Sequence, residues 1–136
     1  MFRRRRACHN ARDRAGRRGP PAAGRRPLRP GEFTVIHVLA IITAKPGKRD
    51  EVLEAFRANL PAVHAEDGCI EYGAAIDAEG AGPSQAPLGA DTFVVIEKWA
   101  SLDALRAHAA APHMLAFGAR TRDLVASRAI HVLSPA

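Results

Sequence analysis

The sequence contains few cysteines, few aromatic residues and no long apolar run. Only two of its 136 residues are cysteines, and one of them, Cys8, lies in the arginine-rich start of the chain, which is not expected to fold. A disulfide framework is therefore not expected. No stretch reaches the roughly 18 consecutive apolar residues of a membrane-spanning helix. A Gly-rich dinucleotide fingerprint, a P-loop and a nucleophile elbow are also missing. These features predict a cytoplasmic protein whose folded part, residues 34–136, binds neither a nucleotide nor a membrane.

Acidic residues are scarce at the start of the chain. Residues 1–33 contain eleven arginines but only Asp13 and Glu32 as acids, which gives a formal charge of +9. Residues 34–136, the folded body, carry a formal charge of −3, so the overall charge of +6 comes from residues 1–33. Nucleic-acid binding is therefore not predicted for the folded body.

The leader, residues 1–33, is predicted to be disordered because it is rich in Arg, Pro and Gly and has no apolar periodicity. Three origins stay open for it. It is a targeting segment, a basic tail for nucleic acid or an anionic membrane, or an upstream extension from a mis-called start. In the third case Val35, read from a GTG codon, would begin the protein. Residues 34–136 have the size of one domain.

The first half of the body predicts a strand, a helix and a second strand. The aliphatic run at 34–43 is typical of a strand covered on both faces. An amphipathic pattern predicts a helix over 49–65, with Pro61 kinking its last turn. A second strand is predicted at 69–77.

The second half predicts a strand at 92–100, a helix capped by Ser101 and interrupted near Pro112, and a last strand at 128–133. The resulting order is β-α-β-β-α-β. This order predicts an α+β, ferredoxin-like domain with a four-stranded antiparallel sheet. Two helices cover only one face of such a sheet, whereas the strand at 34–43 is apolar on both faces. We therefore expect a homodimer through the open sheet face.

Three segments resemble a known family: IITAKPGKRDEVLEAF, EDGCIEY and FVVIEKWASLDALRAHAAAPHM. They are similar to the antibiotic biosynthesis monooxygenase (ABM) domain family, and in particular to its quinol-monooxygenase-like branch. The resemblance extends from about Val35 to Pro135. It implies a dimeric α/β barrel and the oxidation of electron-rich phenols, quinols or anthrones by O₂, often without metal or flavin. Other members degrade haem.

The candidate catalytic residues are His108, Trp99 and Tyr72. His108 lies at the margin of a helical apolar stripe, where a neutral imidazole can take a proton from a substrate hydroxyl; alternatively it is a half-buried structural histidine. Trp99 either stacks on a planar substrate or fills the end of the sheet. Tyr72 either donates a hydrogen bond to a substrate oxygen or belongs to the core.

The candidate substrate-binding residues are His113, Glu97, His37 and Phe93. Glu97 shares a strand face with Phe93 and can orient a histidine, bind a hydroxyl or form an inter-subunit ion pair. His113 follows a helix-breaking proline, and His37 lies in the first strand; each is a pocket residue or a structural one.

No metal site is predicted, because His108 and His113 are five residues apart with a proline between them. No cofactor is expected, and O₂ would be a co-substrate. The expected function is a cofactor-independent monooxygenase acting on a small aromatic quinol or polyphenol. The alternatives are a non-catalytic dimeric module that binds small molecules, and a haem-binding or haem-degrading protein on the same fold.

Overall fold

Four strands and three helices make up residues 35–136, the part of the chain that the computed structural model describes. The strands are β1 (Ile36–Ala44), β2 (Cys69–Ala75), β3 (Thr92–Trp99) and β4 (Val125–Leu133). The helices are α1 (Arg49–His64), α2 (Leu102–Ala110) and α3 (Pro112–Thr121). The leader predicted at 1–33 lies outside the described residues.

The four strands form one antiparallel sheet in the order β2-β3-β1-β4. β1 lies in its centre, with Val38 opposite Glu97 of β3 on one side and opposite Val132 of β4 on the other. This order, with helices between the first two and the last two strands, is the ferredoxin-like arrangement. The predicted fold class is confirmed.

Local sequence signals determine where the helices of the second half begin. Ser101 caps α2, since its side-chain oxygen accepts a hydrogen bond from the Ala104 N–H at 3.1 Å. Pro112 is the first residue of α3, where its missing N–H costs no helical hydrogen bond. Among residues 35–136, no helix combines the length and the apolar character that crossing a bilayer requires.

The bounds of α1 agree with the helix predicted over 49–65, whereas the start of the last strand was predicted wrongly. α1 continues through Pro61 to His64, because a proline in the last turn removes only one backbone donor and the N–H groups of Ala65 and Glu66 donate to the carbonyls of Pro61 and Val63. The last strand begins three residues before the predicted 128, at Val125. The chain leaves α3 through a tight turn, in which the Leu124 N–H donates to the Thr121 carbonyl, and this turn brings Val125 directly to Ala44 of β1.

Alternation along β1 and β3 divides their side chains between two environments. Val38 and Val95 face the helices and are almost fully buried, together with Val52 and Phe56 of α1. Leu39, which lies opposite Ile96, faces the other way and is partly exposed. One chain therefore has a covered and an uncovered sheet face, and it does not close a barrel by itself.

Gly68 joins the turn after α1 to β2 at a point of close approach. It has a positive φ of 81°, and its carbonyl accepts a hydrogen bond from the Ala100 N–H at 2.8 Å. A Cβ at this position would lie 2.7 Å from the Cβ of Ala104 in α2. The absence of a side chain here lets the start of α2 pack against the turn.

We predict that Gly68→Ala destabilises the domain by on the order of 2–4 kcal/mol, from backbone strain and the clash with Ala104. Gly47→Ala is the matched control, because Gly47 has a φ of 76° but a methyl group there would meet nothing within 4 Å. It should cost only on the order of 1 kcal/mol. Urea unfolding of both variants measures the difference. Equal losses would show that the contact with α2 adds nothing.

Candidate active site

A cavity of about 610 Å³ lies between the helix-covered face of the sheet and helices α2 and α3. Its walls are mostly apolar and come from every layer around it, including Val38, Ala40, Val95, Leu105, Met114 and Phe117. The volume is in the range of small-molecule sites in proteins and suits a bicyclic or tricyclic aromatic compound.

Polar groups occupy two parts of this cavity. Tyr72, Glu97 and His108 contribute to its wall and are themselves buried. Three arginines that also line the cavity are exposed to solvent: Arg106, Arg122 and Arg128. The cavity therefore has a small buried polar cluster and a cationic rim.

His108 is held by a carboxylate from another element. Its Nδ1 lies 2.6 Å from Oε2 of Glu66, which follows the end of α1. With the Nδ1 proton donated to this carboxylate, Nε2 has a free lone pair. Nε2 lies 3.8 Å from Oε1 of Glu97, beside the cavity. A buried imidazole whose tautomer is fixed in this way is suited to accept a proton.

Glu97 is a buried carboxyl group with an unusual affinity for its proton. Burial raises its pKa from 4.5 to about 7; the hydrogen bond from the Trp99 indole opposes this shift, and the nearby Glu66 adds to it. The Trp99 Nε1–H donates to Oε2 of Glu97 at 3.4 Å. Around neutral pH the Glu97 carboxyl is therefore divided between its protonated and ionised forms, and in the protonated form it can donate a hydrogen bond to a ligand.

Trp99 lies behind the polar cluster and does not line the cavity. It is fully buried, and its ring is tilted against the imidazole of His108 with 4.5 Å between the centroids. The indole packs on His108 and donates to Glu97, so a substrate in the cavity would meet these two residues rather than the indole. The predicted stacking of Trp99 on a substrate does not fit this position, because α2 covers the end of β3.

Tyr72 lines the cavity next to His108, with 5.3 Å between the ring centroids, and stacks on Phe56. Burial, followed by the nearby charges of Glu97 and Glu66, raises the pKa of its hydroxyl. At neutral pH the hydroxyl keeps its proton and remains a hydrogen-bond donor.

The other predicted binding residues lie elsewhere. Phe93 is fully buried and packs edge-on against Phe56, away from the cavity wall. His37 lies opposite Lys98 on the uncovered face of the sheet, because its neighbour Val38 takes the inward position. His113 lies outside the cavity wall, with its Nε2 3.5 Å from Oε1 of Glu66.

Three of these side chains could hold a metal ion. Glu66, His108 and His113 each offer one ligand atom, and the three atoms lie within 4.8 Å of one another. The spacing of the two histidines alone did not indicate this set, because its carboxylate comes from a turn between α1 and β2. The 2.6 Å contact between Glu66 and His108 is also an ordinary charge-assisted hydrogen bond.

Comparison with known proteins places this chain in a family. The profile of the antibiotic biosynthesis monooxygenase family matches residues 35–120. The chain belongs to this family. The resemblance predicted from the sequence is thereby confirmed, and the family supports a monooxygenase-like function.

Individual relatives agree with this assignment. The Escherichia coli K12 protein YgiN, named "Probable quinol monooxygenase", is 35% identical over 103 residues, which cover 74% of this chain and 98% of YgiN. Among solved structures, PA3566 from Pseudomonas aeruginosa is similar with a TM-score of 0.65 at 27% identity, covering 76% of this chain and 96% of PA3566. Rv0793 from Mycobacterium tuberculosis is similar with a TM-score of 0.62 at 27% identity and the same coverages.

In this ABM domain, the residue of the candidate site that sequence reasoning missed is Glu66. It belongs to the EDGCIEY segment that carries part of the family resemblance, but it lies outside any helical or strand periodicity. Its partner, His108, is 42 residues away along the chain. The available signal was an acid directly before the Asp-Gly turn that leads into the strand of Tyr72.

The raised pKa of Glu97 predicts a pH-dependent stability. Between about pH 4.5 and 7 the folded chain holds more protons at this site than the unfolded chain, so stability falls as the pH rises through this window. Glu97→Gln removes the titration. The difference in free energy of unfolding between Glu97→Gln and the wild type should therefore shift in favour of the variant by on the order of 2 kcal/mol from pH 4.5 to pH 8.

Urea unfolding at a series of pH values measures this change. Glu54→Gln, on the exposed side of α1, is the control for the same chemical substitution. A stability difference between Glu97→Gln and the wild type that stays constant from pH 4.5 to pH 8 would contradict the raised pKa.

Proposed function

We propose that this ABM domain is a cofactor-independent monooxygenase that oxidises an electron-rich quinol or polyphenol with O₂. The observation that supports it most is the buried imidazole of His108, which is oriented by Glu66 and borders an apolar cavity of aromatic size. The name of the similar protein YgiN points to the same substrate class.

In the proposed reaction His108 acts as the general base. Its Nε2 removes a proton from a substrate hydroxyl, and the carboxylate of Glu66 stabilises the imidazolium that forms. Tyr72 and protonated Glu97 can donate hydrogen bonds to the substrate oxygens. These donors stabilise the phenolate as its charge develops.

Deprotonation makes the substrate a sufficiently strong reductant for O₂. The anion transfers one electron to O₂, the two radicals recombine to a peroxide, and the peroxide O–O bond breaks. For a quinol, one oxygen atom of O₂ is incorporated into the ring, and the product is a hydroxyquinone. The other oxygen atom leaves as water, with the two hydrogen atoms that the quinol loses. The apolar walls keep bulk water away from the radical pair.

We predict that His108→Ala lowers quinol-dependent oxygen uptake by on the order of 10²–10⁴-fold, because the general base is lost. Glu66→Gln should lower kcat by about tenfold or more, with a smaller change in KM, because the amide no longer fixes and stabilises the imidazole. Oxygen-electrode assays with a panel of quinols and anthrones, before and after chelation, measure both effects.

Arg57→Ala, at an exposed position of α1 outside the cavity wall, is the control variant. His108→Gln preserves side-chain volume if the alanine variant unfolds. Uptake that is unchanged in both His108 variants would exclude this residue as the base. Uptake that disappears on chelation would indicate instead a metal held by Glu66, His108 and His113. Tight binding of a quinol with no uptake would indicate a binding module.

We also propose that two copies pair through the uncovered sheet face. This face presents apolar side chains from both central strands, including Leu39 and Ile96, which are opposite each other. Apolar side chains in the middle of a sheet are stabilised when another sheet covers them. A second copy offers the same surface, and a two-fold axis allows the two faces to cover each other.

Leu39→Arg should shift the chain towards the monomer, because a charge in the middle of the apolar face would be buried on pairing. Leu102→Arg is the matched control, since Leu102 and Leu39 are both 37% exposed but Leu102 lies on α2. Analytical ultracentrifugation over a concentration series measures the association. A wild-type chain that stays monomeric at all concentrations, or equal dissociation constants for the two variants, would contradict the pairing.

A further inference from the structure

The cavity concentrates positive charge in a body that is negative overall. Residues 34–136 carry a formal charge of −3 and contain six arginines. Three of these six line the cavity that holds the polar cluster: Arg106, Arg122 and Arg128. They come from α2, from the turn after α3 and from β4, so they reach the cavity from three separate elements.

Two of these arginines have no nearby acid within the described residues. Between 35 and 136, no carboxylate lies within 4.0 Å of the guanidinium groups of Arg122 and Arg128. Among the carboxylates of the same residues, Arg106 pairs with Asp103 alone, at 3.0 Å and one turn away on the exposed side of α2. An exposed pair of this kind contributes little and leaves Arg106 available to a ligand.

Arg128 has a position that the fold alone does not explain. It lies opposite Ile42 in the sheet, in a row that continues with Ile130 opposite Ala40 and Val132 opposite Val38. All of these residues face the cavity, and the others are apolar. A guanidinium at the end of an apolar row can bind an anion whose remaining part lies on that row. Low-polarity walls also strengthen its attraction for the anion.

The geometry points to a substrate that is an aromatic quinol or phenol with an anionic substituent of the carboxylate type. Its ring fills the apolar cavity, its hydroxyl reaches His108, and its carboxylate is bound by the arginines of the rim. The identity of the ring and of the reacting hydroxyl rests on the proposed function. The anionic substituent rests on the arginines alone. Arginine favours carboxylates because its planar fork can donate two parallel hydrogen bonds.

A binding experiment without turnover tests the anionic substituent. The probes are 6-hydroxy-2-naphthoate and its methyl ester, which differ in charge, carry a hydroxyl at the opposite end and are stable in air. Isothermal titration calorimetry on the full chain should show that the carboxylate binds at least about tenfold more tightly than the ester. This advantage should decrease as NaCl rises from about 50 to about 500 mM, since salt screens exposed charges.

Arg122→Gln and Arg128→Gln should each reduce the advantage of the carboxylate over the ester about threefold or more, with little change for the ester. Arg120→Gln is the matched control, because Arg120 is also an exposed arginine, on α3, but does not line this cavity. It should preserve the advantage. Equal binding of the two probes, or an advantage that none of the rim variants reduces, would overturn the inference.

The outcomes separate this inference from the proposed function. A carboxylate preference that depends on the rim arginines, together with no oxygen uptake from any quinol, supports the inference and contradicts the monooxygenase. Oxygen uptake that is lost in His108→Ala, with equal binding of acid and ester, supports the monooxygenase and overturns the inference. Failure of both probes to bind at millimolar concentration overturns it as well.

Discussion

The hydrogen bond between Glu66 and His108 is the contact on which the candidate site depends. It joins the turn after α1 to the second helix and connects two segments that are far apart in the chain. Both side chains are largely buried, so an unpaired partner would be costly. The bond therefore fixes the ring of His108, and the opposite nitrogen is held beside the cavity.

A second carboxyl group on the other side of the ring gives the site its electrostatic character. Burial raises the pKa of Glu97 to about 7, so part of this carboxyl is neutral around neutral pH, whereas Glu66 accepts a hydrogen bond from the imidazole Nδ1–H. Two acids thus have different environments around one histidine: one accepts a hydrogen bond from the ring, and the other can donate one to a ligand. Trp99 supports this difference, since it packs on the ring and donates to Glu97.

Most of the fold could be predicted from the sequence because it follows from local rules. Strand alternation, the Ser101 cap and the helix start at Pro112 are all visible in short windows. The candidate site was harder to predict from the sequence. Glu66 lies in a turn without periodicity, and the depth of Trp99 depends on how α2 crosses the end of β3, which no short window contains. Single positions in the pattern identified Glu97 and His108 but not their partners.

The cavity itself results from incomplete cover by the helices. The break between α2 and α3 leaves two short helices over a sheet whose edge strand, β4, pairs only with β1 within residues 35–136. The inward-facing Ile130 and Val132 of that strand remain 59% and 49% exposed. Completing the cover with one long helix would bury these side chains and stabilise the domain, but it would also fill the space beside His108. An apolar ring in the cavity removes the same surface from water. The exposed edge therefore offers apolar surface that a flat, apolar ligand of the proposed kind would cover.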